Sequence, residues 1–161
     1  MMENKLLKLA RPYLEKNDFG VEHTRRVLTL AQSHFSIPND IMDEVFALII
    51  LHDIGGSSIK EQYERGPKIA EKLMKKVGYS EQITKEVCNM IKRHHEKLED
   101  PSKSFKILYD SDQLAKFSKE EFQYYDLKNI DWNRVINSMY FNSSKVIARK
   151  SLKARTIDTI K

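Results

Sequence analysis

Hydrophobic residues recur along most of this chain three or four residues apart, which is the spacing of one face of an α-helix. Stretches with this spacing lie at residues 6–14, 21–36, 40–54, 67–77, 81–91, 105–117 and 132–160. Nowhere does a run of alternating apolar and polar residues, bounded by turn residues, indicate a strand. The spacing therefore predicts an all-α protein.

The third stretch differs from the others because Val45–Leu51 is apolar on every side. Such a helix is expected at the centre of a domain, and seven residues are far fewer than the roughly 20 that span a membrane. We expect Asn39 or Asp40 to cap its N-terminus and Gly55-Gly56 to end it.

Between the predicted helices the chain is polar. Residues 57–66 are predicted to be a short polar connection, and the charged segment Glu96–Lys103, which contains Pro101, is predicted to be a loop. Ser80 is expected to cap one helix and Gly78 to end the preceding one. Residues 118–131 carry no clear pattern.

The length of 161 residues predicts one domain that covers residues 1–161. The single cysteine, Cys88, excludes an intrachain disulfide framework and is typical of the cytoplasm. The N-terminus lacks the apolar segment of a signal peptide, and no membrane span is expected.

The net charge of +5 is concentrated at one end of the chain. From Asn133 onward there are seven basic residues and one acidic residue, whereas the preceding part has 21 basic and 22 acidic residues. The basic segment of about residues 132–161 could attract a nucleic acid or an acidic membrane surface. A solvated helix face is the more ordinary explanation, so we do not expect a nucleic-acid partner.

His52-Asp53 follows the most apolar helix directly. A buried imidazole and carboxylate at this point would be costly without partners, and a metal ion would satisfy both. Alternatively, His52 bonds a carbonyl and Asp53 caps a turn. Asp110 and Asp112 lie in another apolar stretch. Residues two apart on a helix point about 200° away from each other, so we expect only one of these acids to face the interior.

Three motifs follow in order between residues 20 and 117: His23 in His-x-x-Arg-Val, His52-Asp53 in Leu-His-Asp-Ile-Gly, and Asp112 in Ser-Asp-Gln-Leu. Together with the segments 66–70 and 91–95, they resemble the HD-domain superfamily of metal-dependent phosphohydrolases. The resemblance implies a single helical bundle of the HD-domain type. It also implies hydrolysis of a phosphate ester of a nucleotide or similar small metabolite.

In that family the matching residues hold a divalent metal, which activates water and polarises the phosphoryl group. The resemblance therefore implies four ligands, His23, His52, Asp53 and Asp112, with Asp110 in a supporting or capping role. This ligand set does not distinguish Mn, Fe, Co, Ni, Zn and Mg.

Three further residues complete the predicted site. Arg26 lies three residues after His23, so it shares a helix face and could clamp a phosphate; an ion pair with an acid is the alternative. His94 and His95 end a predicted helix, and one of them could contact phosphate or protonate a leaving group. Asp53, His94 and His95 are the predicted catalytic residues, unless the two histidines only cap their helix.

Two departures from the family pattern affect these expectations. Gly56 stands where some relatives have a Glu that positions the attacking water, and neither Glu61 nor Glu64 is a clear substitute. Gln62 and its neighbours stand where binuclear relatives supply another histidine. We therefore predict a single metal ion. The missing acid also favours an alternative function, a module that binds or senses a phosphorylated metabolite without turnover.

Overall fold

The computed structural model describes residues 1–160, and for residues 158–160 it describes only the backbone. This part of the chain forms ten helices and no strand, which confirms the predicted all-α fold. The helices are α1 Met2–Leu14, α2 Gly20–His34, α3 Asn39–Leu51, α4 Ile59–Glu64, α5 Gly66–Val77, α6 Glu81–Ile91, α7 Lys103–Ala115, α8 Phe122–Leu127, α9 Trp132–Ser138 and α10 Asn142–Ile160.

Helix α3 lies at the centre of the core, as its apolar sequence predicts. Every residue from Ala47 to Leu51 is buried, and the helix packs against α1, α2, α6 and α7. Helix α7 is almost as deeply buried, although it carries two acids and several hydroxyl groups. These two helices bring the polar residues that follow or interrupt their apolar segments into the interior.

The end of α3 differs from the prediction. The helix ends at Leu51, before the two glycines, and residues 52–55 form a turn. The Nδ1 atom of His52 donates a hydrogen bond to the carbonyl of Ile49 at 2.6 Å. In a continuing helix that carbonyl would accept from the amide of residue 53, so the imidazole replaces the next helical hydrogen bond.

Two segments without a predicted helix each contain one. The connection after Gly56 includes α4, which starts with a capping box between Ser58 and Glu61. Residues 118–131 include α8. Each helix has six residues, too few to show a helical period in the sequence.

The long helix predicted over residues 132–160 is broken into α9 and α10. At the break, the amides of Tyr140 and Phe141 donate to the two carboxylate oxygens of Asp110, at 2.8 and 2.9 Å. Asp110 is fully buried. Because the acceptor of these hydrogen bonds lies 30 positions earlier in the chain, the sequence around residues 139–141 does not predict the break.

The predicted helix ends are partly correct. Ser80 accepts from the amide of Ile83, and Gly78 ends α5 in the left-handed conformation. The predicted cap at Asn39 or Asp40 is wrong: α3 begins at Asn39, after Pro38, without a side-chain cap. The division of the chain into domains stays a prediction.

Gly55 lies where the turn after α3 meets α4 and α5. A Cβ atom at this position would overlap the carbonyl oxygen of Glu61 and would lie 2.7 Å from the nitrogen of Gly66. Both neighbours are backbone atoms, so they cannot move aside as a flexible side chain can. The absence of a side chain here allows the turn that carries His52 and Asp53 to pack against the next two helices.

We expect Gly55→Ala to destabilise the protein by about 3 kcal/mol, the upper end of the usual range for overpacking, because the added methyl group overlaps backbone atoms. Urea unfolding followed by circular dichroism measures the change. Gly20→Ala is the control, since a Cβ there meets no atom within 4 Å. The only cost expected at this position is the strain of placing alanine at a positive φ of 61°. It should cost about 1 kcal/mol. Equal losses in the two variants would contradict the proposed steric role of Gly55.

Candidate metal centre

Three separate elements bring the four predicted ligands together. Helix α2 supplies His23, the turn after α3 supplies His52 and Asp53, and α7 supplies Asp112. The Nε2 atom of His23 lies 3.0 Å from Asp112 and 3.4 Å from Asp53. The Nε2 atom of His52 lies 3.5 Å from Asp112 and 3.2 Å from Asp53. Each imidazole therefore faces both carboxylates.

The other ring nitrogen of each histidine is held by a hydrogen-bond acceptor. His52 Nδ1 donates to the carbonyl of Ile49, and His23 Nδ1 donates to a carboxylate oxygen of Glu121 at 2.8 Å. Because a carbonyl can only accept, the proton of neutral His52 resides on Nδ1, and Nε2 carries a lone pair. The same tautomer follows for His23 when its imidazole is neutral.

Lone pairs and carboxylate oxygens that face each other need a cation between them. The Nε2 atom of His52 is buried and has no hydrogen-bond partner in the described structure. Two ligand atoms about 2.1 Å from one metal ion, at 90–109° to each other, are separated by about 3.0–3.4 Å. The measured separations are 3.0–3.5 Å. These residues therefore fit a divalent metal ion.

The pKa values of this group show the same demand for positive charge. Burial lowers the pKa of His23, but hydrogen bonds to Asp112 and Glu121 outweigh it and raise the pKa to about 10. Burial raises the pKa of Asp112, but the charge of His52 and the hydrogen bond with His23 outweigh it and hold this pKa well below its usual range. The imidazoles thus bind protons tightly while the carboxylate stays ionised, so positive charge is favoured where a metal would lie.

A second potential metal-ligand group lies beside the first and consists of Asp53, His94 and His95. His94 is buried on the turn after α6; its Nδ1 donates to the carbonyl of Ile91 at 2.8 Å, and its Nε2 lies 3.6 Å from Asp53. Asp53 therefore lies between the two groups. The single metal ion expected from the sequence stays a prediction, since the second group offers ligands for another.

His95 has a different environment from His94. Its Nε2 lies 2.6 Å from the side-chain oxygen of Gln62, which accepts a hydrogen bond from it. Burial and the neighbouring His94 lower the pKa of His95 to about 4. The imidazole is therefore neutral at pH 7, a state that suits a metal ligand or hydrogen-bond donor better than a general acid. The catalytic roles of both histidines stay predictions.

The two aspartates of α7 point in different directions, as their spacing predicts. Asp112 faces the imidazoles of His23 and His52, whereas Asp110 holds the backbone between α9 and α10. Placement of Asp112 at the centre agrees with its choice as a ligand, and Asp110 has the capping role that was its expected alternative.

Arg26 lies beside His23 in the ion pair that the sequence left open. Its Nε donates at 2.8 Å to the Glu121 oxygen that also accepts from His23. Glu121 is fully buried, although it follows an exposed charged stretch. The guanidinium thus neutralises the carboxylate that orients His23. Phosphate binding by Arg26 stays a prediction.

The centre opens into a cleft of about 340 Å³. His23, Asp53 and Asp112 line the cleft with His95, whereas His52 and His94 are fully buried and do not. Aromatic and basic residues from α2 and the segment after α7 complete the wall: Phe19, Lys116, Tyr124, Tyr125 and Lys128. The ligands therefore have a closed side and a side open to a small molecule.

Gly56, which stands where some relatives have a glutamate, lines the cleft. Gly56 has a φ of 146°, and a Cβ there would lie 2.9 Å from the side chain of Glu61. The side chain of Glu61 accepts a hydrogen bond from Ser58 in the capping box. Neither Glu61 nor Glu64 lines the cleft, so neither replaces the missing glutamate there.

Sequence reasoning missed several residues of the site. Glu121, Tyr124 and Tyr125 lie in the segment without a pattern, and Gln62 lies in the connection predicted to be polar. An aromatic cluster in a charged stretch, Phe122-Gln-Tyr-Tyr125, was the available signal. It indicates burial and does not identify the neighbour.

Comparison with known proteins agrees with this geometry. The model of the HD domain family matches residues 20–116, which include all four predicted ligands. The chain belongs to the HD-domain family. The crystal structure of a predicted HD superfamily hydrolase from an uncultured Thermotogales bacterium superposes with a TM-score of 0.66 and 17% identity, over 98% of this chain and 88% of that one. This HD-domain chain matches no curated protein.

Other predicted features lie away from the centre of this HD domain. His34, Lys92 and Arg93 are exposed. Within residues 1–160, no helix has both the length and the apolar character of a membrane span. Arg149, Lys150 and Lys153 of the basic segment are exposed on α10, whereas Lys161 lies outside the described residues. The expectation about nucleic acid stays a prediction.

We expect Glu121→Gln to weaken divalent metal binding about 10–100-fold, because the neutral amide no longer strengthens and orients His23 as a ligand. Titration with Mn²⁺ followed by electron paramagnetic resonance measures the affinity. Glu120→Gln, at the exposed neighbouring position, is the matched control and should bind like the wild type. Equal affinity in the two variants would contradict the orienting role of Glu121.

Proposed function

We propose that this protein is a metal-dependent phosphohydrolase that cleaves the phosphate ester of a nucleotide or similar small metabolite. The observation that carries the proposal is the pair of imidazole Nε2 atoms that lie 3.0–3.5 Å from two carboxylates beside an open cleft. Family membership supports the metal-dependent hydrolase class.

His23, His52, Asp53 and Asp112 would hold the metal. When bound, a divalent ion supplies Lewis-acid activation of water and of the phosphoryl group. Mn, Fe, Co, Ni, Zn and Mg all remain compatible with two imidazoles and two carboxylates. The buried hydrogen bonds from Nδ1 of the two histidines hold these rings in place before any substrate binds.

The chain's own residues on the open side then orient the substrate. Asp53 lines the cleft and lies between the imidazoles of His52 and His94. We therefore keep it as the catalytic carboxylate, at the point where the two potential ligand groups meet. His95 donates to Gln62 and lines the same cleft, where its Nδ1 could accept a hydrogen bond from a substrate hydroxyl group.

The size and the wall of the cleft support a nucleotide. A volume of about 340 Å³ fits a small molecule. Phe19, Tyr124 and Tyr125 lie on one side, with ring centroids 4.9 Å apart for the pair Phe19–Tyr124 and 6.0 Å for the pair Phe19–Tyr125. Aromatic rings stack on any nucleobase, because each base has a π-face. We propose a cytoplasmic location from the single cysteine.

We expect the purified protein to bind a divalent transition metal and, once loaded, to hydrolyse nucleoside monophosphates or p-nitrophenyl phosphate. His52→Ala and Asp112→Asn should each reduce kcat/KM more than about 100-fold, since loss of a ligand exceeds the effect of a lost supporting contact. Elemental analysis of protein purified without chelator and phosphate release measure the two properties.

Asp112→Asn keeps the shape of the side chain, so it controls for a folding defect of the buried His52→Ala variant. His34→Ala removes an exposed histidine and should retain wild-type activity. A metal-loaded protein that leaves a broad panel of phosphoesters intact would contradict the hydrolase proposal, although the metal site would remain.

A binding or sensing function is the second candidate, and Gly56 favours it. The position lacks the water-orienting acid of some relatives, and the cleft shows no acid from α4 in its place. A sensor would gain thermal stability from a nucleotide that it leaves intact. Thermal-shift screening of the metal-loaded protein, with recovery of the unchanged ligand, distinguishes this function from hydrolysis.

A further inference from the structure

We infer that Lys116, and not Arg26, is the residue that binds the phosphate group in the cleft. The inference rests on the proposed function, because it assigns a residue to the phosphate of the same substrate. It concerns a side chain that the sequence patterns did not single out.

Lys116 follows the last residue of α7 and lies four residues after Asp112. On a helix, residues four apart share a face, so the lysine projects from the same side as the carboxylate, one turn farther along. Both residues line the cleft. The helix that supplies a predicted metal ligand therefore also places an ammonium group beside it.

Within residues 1–157, whose side chains the structure describes, no hydrogen bond or ion pair involves the ammonium group of Lys116, and Asp112 and Glu121 act on it only through their charge. Its Nζ lies 5.1 Å from the centroid of the Tyr125 ring. The side chain is half-buried. A partly buried charge without an ionic partner is costly, and the open cleft is where an anion could reach it.

The nearby carboxylates are paired with other residues, although Oε1 of Glu121 has no hydrogen-bond partner in the described part of the chain. Glu121 accepts from His23 and Arg26, and Asp112 faces the two imidazoles. Lys116 is therefore a positive charge left over after the ion pairs of the site have formed.

The charge balance of the site leads to the same conclusion. Asp18, Asp53, Asp112 and Glu121 carry four negative charges, and Arg26, Lys116 and Lys128 carry three positive charges. With neutral histidines the sum is one negative charge, which a divalent metal ion changes to one positive charge. A metal-loaded cleft thus attracts an anion. Two lysines line the cleft, but Lys128 donates a hydrogen bond to the hydroxyl of Tyr124, whereas Lys116 lies one helical turn after the predicted ligand Asp112.

Arg26 is less suited to this role. Its Nε is 2.8 Å from the buried Glu121, and it does not line the cleft. Turning toward a phosphate would leave a fully buried carboxylate without its cation. The arginine therefore supports His23, and the lysine remains for the phosphate.

The test measures inorganic phosphate binding to the manganese-saturated protein, from the broadening of the ³¹P resonance. Lys116→Gln should weaken phosphate binding about 10–100-fold, the range for loss of a hydrogen bond to a charged group. Manganese affinity should not change. Lys116→Arg should restore most of the phosphate affinity, because it keeps the positive charge.

Two further variants separate this role from others. Lys119→Gln removes an exposed lysine three residues away and should bind phosphate like the wild type. Arg26→Gln should weaken manganese binding, because it leaves buried Glu121 without its cation, and at saturating manganese it should lose less phosphate affinity than Lys116→Gln. If phosphate affinity falls in Arg26→Gln but not in Lys116→Gln, the inference is wrong.

The outcome also stands apart from that of the hydrolase proposal. Lys116-dependent phosphate binding in a protein that hydrolyses no phosphoester would support the lysine and refute the enzyme. Normal hydrolysis by the wild type, together with unchanged phosphate affinity in Lys116→Gln, would support the enzyme and refute the role of the lysine. Manganese-loaded wild type that binds no phosphate would overturn the assignment of Lys116.

Discussion

The site depends on hydrogen bonds that hold one nitrogen of each buried imidazole. His52 and His94 each donate Nδ1 to the carbonyl three residues earlier, and His23 donates to Glu121. These bonds direct the opposite nitrogens toward Asp53 and Asp112. Because the facing atoms are all acceptors when the rings are neutral, a cation between them would relieve their repulsion. The hydrogen bonds at Nδ1 keep these acceptors facing each other.

The same hydrogen bonds link the site to the fold. The His52 bond coincides with the end of α3, and the His94 bond satisfies a carbonyl at the end of α6. A predicted ligand histidine thus lies directly beyond a deeply buried helix. Gly55 then lets α4 and α5 approach this turn closely, through backbone atoms of Glu61 and Gly66.

Charge is distributed unevenly across the centre. Its buried side holds His52, His94 and Glu121, and the last of these is neutralised by Arg26. Its open side has Lys116, Lys128 and three aromatic rings. The binding of a small anion, as proposed above, would benefit from this division, because the buried carboxylate is paired with Arg26 and the lysines lie on the side that a ligand can reach.

The all-α fold, the central apolar helix and the membership of His23, His52, Asp53 and Asp112 in one site were all predictable from the chain, because helical periodicity and short motifs are local signals. The opposite orientation of Asp110 and Asp112 followed from helix geometry as well.

In contrast, the contacts of Glu121 with His23, of Asp110 with Tyr140, and of Gln62 with His95 join residues 30 or more positions apart. Such contacts depend on how the helices pack, and nothing near either partner in the sequence specifies the other. The position of Lys116 in the cleft is of this kind: its place directly after α7 is local, but its lack of an ionic partner among residues 1–157 results from the packing around it.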